Sequence, residues 1–124
     1  MRADGKYLVI RRSKHVGSPR KVCFPGGTVE LGESQESAVV REMWEELRAK
    51  VTPLRAVWRH AFADKPLTLF GWVAKLEAPE IEPQAEEIEE VFWLTPEQAW
   101  KHADALPTVK DFVDCLCHDP QADG

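Results

Sequence analysis

The sequence predicts a single α/β domain. Short apolar and β-branched runs alternate with stretches of helical spacing, the signature of strands mixed with helices in one fold. The 124 residues, 44% of them hydrophobic, suffice for one sizeable core and are too few for two ordinary domains. No internal repeat or linker divides residues 1–124.

At the start, Asp4-Gly5 is a strong hairpin-turn pair, and Tyr7 to Ile10 behind it reads as a buried strand. Only Met1 and Arg2 are available for the strand that should precede this turn. Either the start is truncated or misplaced, or something else fills the gap. A missing strand would leave an edge that another chain could occupy, so a homodimer is one expectation. Arg11, Arg12, Lys14, His15, Arg20 and Lys21 crowd the next stretch, which also holds Gly17 and Pro19 and reads as a flexible loop. It is either a solvated basic loop or a set of cations that meets phosphates. Val22 to Phe24 is a short strand.

Pro25, Gly26 and Gly27 predict a turn, where glycine permits close backbone approach to a ligand. Ser34 is a candidate N-cap, Gln35 and Glu36 fill the first turn, and a helix runs to about Leu47. Val39, Met43 and Leu47 recur on one face and can bury against a sheet. Glu42, Glu45 and Glu46, at spacings of three and four, bring their carboxylates together within one turn. Each like-charged pair costs about 0.2 to 0.5 kcal/mol, a penalty that a bound divalent cation reverses. Oxygen donors suit magnesium, with manganese as an alternative. The plainer reading is a solvated acidic face neutralised by Arg41 or Arg48.

A longer pattern shifts that balance. From Gly27 the chain runs glycine, five residues, Glu33, seven residues, Arg41, Glu42, Met43, one residue, Glu45 and Glu46. This resembles the Nudix box, the signature of a family of metal-dependent hydrolases that cleave nucleoside diphosphates linked to another group. One position departs: Arg48 and Ala49 stand where the family has glycine and an aliphatic residue. Arginine there either takes a steric penalty in the left-handed conformation or forces another exit from the helix.

The resemblance implies an α/β/α sandwich with a mixed sheet, its first strand short or missing here. It implies attack of water on a phosphorus of a pyrophosphate linkage, with magnesium as cofactor. Carried over by position, Glu42, Glu45 and Glu46 are metal-site carboxylates, the Gly26 carbonyl is a further ligand, and Arg41 and Glu33 orient the cluster. Family members often place another glutamate in a loop before the last strand. Glu86, Glu87, Glu89 and Glu90 qualify, and Glu87 is the metal candidate carried forward.

After the helix, Ala56 to Phe62 and Leu67 to Leu76 are expected strands, joined across residues 63–66 as a hairpin. Phe70, Trp72, Ala74 and Leu76 would face one way, and Leu67, Leu69 and Val73 the other. Phe24, Trp58 and Trp72 are candidate contacts for a nucleobase, although an aromatic residue in a strand is more often core. Arg12 and Arg20 are the candidate phosphate contacts. Pro79 to Glu90 reads as an acidic loop, and Val91 to Leu94 as the last strand. Thr95-Pro96-Glu97-Gln98 is a capping box with proline at the first helical position. Thr108 caps a final helix whose Val109, Phe112, Val113 and Leu116 fall at helical spacing, and residues 118–124 should fray.

The net charge of -5 and pI near 5.4 argue against grip on a nucleic-acid polymer, which needs a basic face. Cys23, Cys115 and Cys117 are too few and unevenly spaced for a disulfide framework or a zinc pair. Neither a signal sequence nor a membrane span is evident, so a cytoplasmic enzyme acting on a small nucleotide is the expectation. A nucleoside triphosphate, ADP-ribose or a sugar nucleotide would all serve as substrate. The alternative is a Nudix-fold binding module without catalysis, which would have no need of a self-repelling carboxylate cluster.

Overall fold

The computed structural model describes residues 5–64, 66 and 68–118. The elements, in order, are β1 (Tyr7–Arg12), β2 (Val22–Cys23), α1 (Gln35–Leu47), β3 (Val51–Ala61), β4 (Thr68–Leu76), β5 (Ile88–Leu94), α2 (Pro96–Lys101) and α3 (Pro107–His118). One sheet has the order β2-β1-β5 and the other is the β3-β4 hairpin. The strand pairs are antiparallel; the parallel contribution to the expected mixed sheet is an isolated bridge of Val22 with Ala105.

Successive strand residues point to opposite faces, yet Val9 and Ile10 of β1 are both buried, as are Val22 and Cys23 of β2. Both faces of this sheet are therefore covered, which makes it the middle layer of a sandwich. Leu47 and Ala49 at the end of α1, Ala99 of α2, and Val109 and Val113 of α3 supply the covering side chains. A second cluster of Val73, Phe112 and Leu116 joins α3 to the β3-β4 hairpin. Phe24 packs against both clusters, 4.9 Å from the Phe112 ring.

The helix signals are met where they rest on capping. Ser34 accepts from the Ser37 N–H at 3.1 Å and starts α1, and Thr95 with Gln98 closes the capping box of α2. Thr108, expected as the cap of the last helix, lies instead within its first turn. Proline is pre-organised for the first helical position, so α3 starts at Pro107.

Strand boundaries move more. Arg11 and Arg12, assigned to the basic loop, complete β1, because β5 continues the pairing past a bulge between them. On the partner strand, β5 correspondingly begins at Ile88, three residues before the expected Val91, with Glu89 and Glu90 turned toward Arg11 and Arg20. β3 begins at Val51, five residues earlier than expected. It tolerates Pro53 because irregular pairing flanks that residue and β4 is its only named strand partner among the described residues. The turn expected at Pro25 to Gly27 is absent: residues 24–30 run without assigned structure, and the turn falls at Leu31 and Gly32, whose φ is 81°. Arg48 adopts the left-handed conformation, φ 51° and ψ 31°, so of the two exits considered the helix takes the strained one.

Residues 1–4, 65, 67 and 119–124 lie outside the described residues, and so do the expectations of a short or missing first strand and of fraying past His118; His118 itself, expected to fray, ends α3. Cys23 and Cys115 are free thiols, the first buried and the second exposed.

Candidate functional site

The residues that α1 presents to the 24–33 segment form one connected cluster, and Arg41 is its hub. Arg41 Nε and Nη2 donate to the two oxygens of Glu33 at 2.7 and 2.9 Å, the two-pronged geometry that a planar guanidinium allows. Its Nη1 donates to Glu42 Oε1 at 2.8 Å and to Glu45 Oε2 at 3.1 Å, and Nη2 also reaches the Thr28 carbonyl at 2.7 Å. One side chain thus ties the loop to two glutamates of the helix. Hydrogen bonds from Arg41 and the Glu30 N–H hold the Glu33 carboxyl down at about 2, and hydrogen bonds to the Glu33 and Glu42 carboxylates raise the Arg41 guanidinium.

Glu46 is in a different environment. It is 8% exposed, and its Oε2 accepts the Gly26 N–H at 3.2 Å. Burial pushes its carboxyl up to about 8, and the charges of Glu42 and Glu87 add to the shift; the Gly26 N–H and Arg12 oppose it. Gly27 has a steric role beside it. A Cβ there would overlap the Glu42 carboxylate, so any larger residue at 27 would push that carboxylate out of its place.

The structure therefore brings Glu33, Arg41, Glu42, Glu46, Gly26 and, through its charge, Glu87 to one place. Glu45 touches Arg41 but stays 55% exposed, at the rim. Arg12 is near enough to influence both Glu46 and Cys23, and its Nε donates to the Gly17 carbonyl at 2.6 Å. Arg20 pairs with Glu89 instead. The three aromatic candidates are committed to packing or tethering. Phe24 lies on Phe112, Trp58 meets the same ring edge-on at 5.8 Å, and Trp72 Nε1 donates to Gln35 Oε1 at 2.9 Å.

Some contributors carried no sequence signal. Ser13 is buried, donates to the Glu86 carbonyl at 2.6 Å, and its N–H reaches the Glu87 carbonyl at 2.9 Å. It pins the loop carrying Glu87 to the end of β1. The main-chain groups of Thr28 and Gly26 could not be read from side-chain types at all.

Among the described residues, no three carboxylate, imidazole or thiol groups converge tightly enough to form a finished metal cage. The donor chemistry nonetheless fits a hard divalent cation. A buried carboxylate held near 8 beside two like charges is a set of oxygen donors whose repulsion such an ion relieves.

A family model for the NUDIX domain matches residues 1–114. CTP pyrophosphohydrolase of Escherichia coli is 32% identical over 117 residues, covering 89% of this chain and 84% of that protein. The 8-oxo-dGTP diphosphatase of the same organism is 33% identical over 96 residues, or 74% of this chain and 71% of that one. NAD-capped RNA hydrolase NudC of Chromobacterium violaceum is 33% identical over 103 residues, 83% of this chain, which spans only 36% of that protein's length. Among solved structures, the MutT protein from Methanosarcina mazei Go1 superposes with a TM-score of 0.78 at 23% identity, over 90% of this chain and 83% of that one.

Proposed function

This chain belongs to the Nudix family of hydrolases, and from that premise we propose that it is a divalent-metal-dependent pyrophosphohydrolase acting on a nucleoside triphosphate. The observation that carries the reading is Glu46: a buried carboxylate held by the Gly26 N–H and within electrostatic reach of Glu42 and the exposed Glu87. A purely structural helix face has no reason to bury one acid among other acids. The triphosphate class is supported by length. The two E. coli relatives of which this chain spans more than two thirds are named for CTP and 8-oxo-dGTP.

In this reading Glu42 and Glu46, with the Gly26 carbonyl and Glu87 beside them, hold the cation, magnesium before manganese. The bound metal supplies charge neutralisation at the phosphates and a more acidic water. Arg41 fixes the Glu42 carboxylate by its 2.8 Å contact, and Glu33 fixes Arg41. Arg12, whose charge reaches Glu46, is the cation this reading assigns to a phosphate oxygen. Water adds to phosphorus, the phosphoanhydride P–O bond breaks, and a nucleotide and a phosphate species depart.

The test is hydrolysis of a panel of nucleoside triphosphates, ADP-ribose and sugar nucleotides, with and without magnesium, followed by chromatography. Magnesium-dependent cleavage of triphosphates, lost in Glu42→Gln/Glu46→Gln with the fold intact, is the expected result. Cleavage of ADP-ribose alone would overturn the substrate class. Full activity in the double variant would overturn the site.

A further inference from the structure

The outer face of α1, turned away from the carboxylates, carries an apolar centre between opposite charges. Residues four apart form a continuous ridge on a helix, and here that ridge reads Glu36, Val40, Trp44, Arg48. Val40 is 43% and Trp44 45% exposed, and with Lys50 and Val51 they line a shallow apolar groove of about 270 Å³. Glu36 lies in the first turn, whereas Arg48 lies just past the last and sets its guanidinium over the Trp44 ring at 5.6 Å. Lys50 adds a second cation at that end.

This arrangement is complementary to itself when reversed. An antiparallel second copy of α1, related by a twofold axis at the level of residue 42, sets Val40 against Trp44 of the other copy and Glu36 against its Arg48. Ridges packed into grooves place the two rows side by side, with apolar residues at the centre and ion pairs at both ends. A parallel in-register copy sets like charges together, and an antiparallel copy shifted by one turn sets each charge against an apolar side chain or leaves it unpaired. Arg48 supports the same conclusion. A non-glycine residue in the left-handed region carries a steric cost, and glycine would end the helix without it. The residue present instead delivers a cation to the end of the ridge.

We infer that this chain forms a symmetric homodimer through the Glu36-Val40-Trp44-Arg48 ridge of α1, with Trp44 as its anchor. The patch is small for a stable interface, so the dimer is weak, with Kd on the order of 10 to 100 µM.

Sedimentation equilibrium of the whole chain from about 5 to 300 µM, the range bracketing that Kd, tests this directly. The wild type should move from monomer to dimer, and Trp44→Glu should raise Kd at least about tenfold with an unchanged circular dichroism spectrum. Glu36→Arg and Arg48→Glu should each weaken the dimer, because each sets like charges together, and the double swap should restore it. That rescue distinguishes the antiparallel ridge from any other contact of these residues. A monomer throughout the range would overturn the inference and leave the patch to a different protein. A dimer insensitive to Trp44→Glu, or weakened singles without rescue, would overturn the interface.

Discussion

The buried Glu46 carboxyl makes the stability of this protein depend on pH in a direction opposite to most surface acids. In the unfolded chain it titrates at an ordinary 4.5, and in the fold it is pushed up to about 8. Below pH 4.5 it is protonated in both states and costs nothing. As pH rises, the unfolded chain releases its proton first, so the folded state holds the extra proton and loses stability steadily until pH passes 8. The slope approaches about 1.4 kcal/mol per pH unit, for a ceiling on the order of 5 kcal/mol; relaxation around the 8% exposed side chain brings the expected loss to about 2 to 3 kcal/mol. For a domain of this length that is a fall in Tm of about 10 °C between pH 5 and pH 8. The assay is thermal unfolding at half-unit pH steps in the presence of a chelator, for the wild type and Glu46→Gln. The amide cannot ionise, so the variant should be flatter by that amount and more stable than the wild type at pH 8. Magnesium should return much of the loss to the wild type alone. Parallel curves for the two proteins would refute the claim that Glu46 is a buried, mutually repelled acid.

Arg41→Lys keeps the charge but cannot span Glu33, Glu42, Glu45 and the Thr28 carbonyl, so turnover should fall about 10 to 100-fold in steady-state kinetics. Gly27→Ala pushes only the far end of the Glu42 side chain, so urea unfolding should change by less than about 1 kcal/mol while activity falls at least about tenfold. Arg48→Gly removes the left-handed strain but frees the unfolded chain, for a net gain of about 0.5 to 1 kcal/mol in urea unfolding. Glu33, held down at about 2 by Arg41, contributes stability that is present above pH 4.5 and lost as pH falls toward 2; Glu33→Gln should flatten that acid limb in pH titrations followed by circular dichroism.

What could be read from the sequence divides by the range of the interaction. The helix start at Ser34 and the capping box at Thr95 were legible because each is decided by a side chain bonding to a backbone group three residues away. The grouping of Glu42 and Glu46 followed from helical spacing and from the Nudix pattern. Strand limits were not legible, since β1 reaches Arg12 and β5 begins at Ile88 only because each pairs with the other across more than 70 residues. The hub role of Arg41 was half visible: the resemblance implied that it and Glu33 orient the cluster, but its contact with the Thr28 carbonyl depends on where the loop runs. The aromatic residues show the limit most plainly. Composition alone treats Trp58 and Trp72 as equal candidates for stacking on a base, whereas the fold sets one against Phe112 and tethers the other to Gln35.

Phe112 has a consequence for how the two sheets move together. Its ring lies on Gly71 of β4, where even a methyl group would collide with it, and it touches Phe24 beside β2 and Trp58 of β3. One ring on α3 therefore acts as the axle between the hairpin and the three-stranded sheet. A smaller residue there would do more than leave a void: it would loosen the angle between two plates that each remain internally hydrogen-bonded. The Trp72 indole links that hairpin to the first residue of α1, so slack at Phe112 would be felt at the helix that carries the carboxylates.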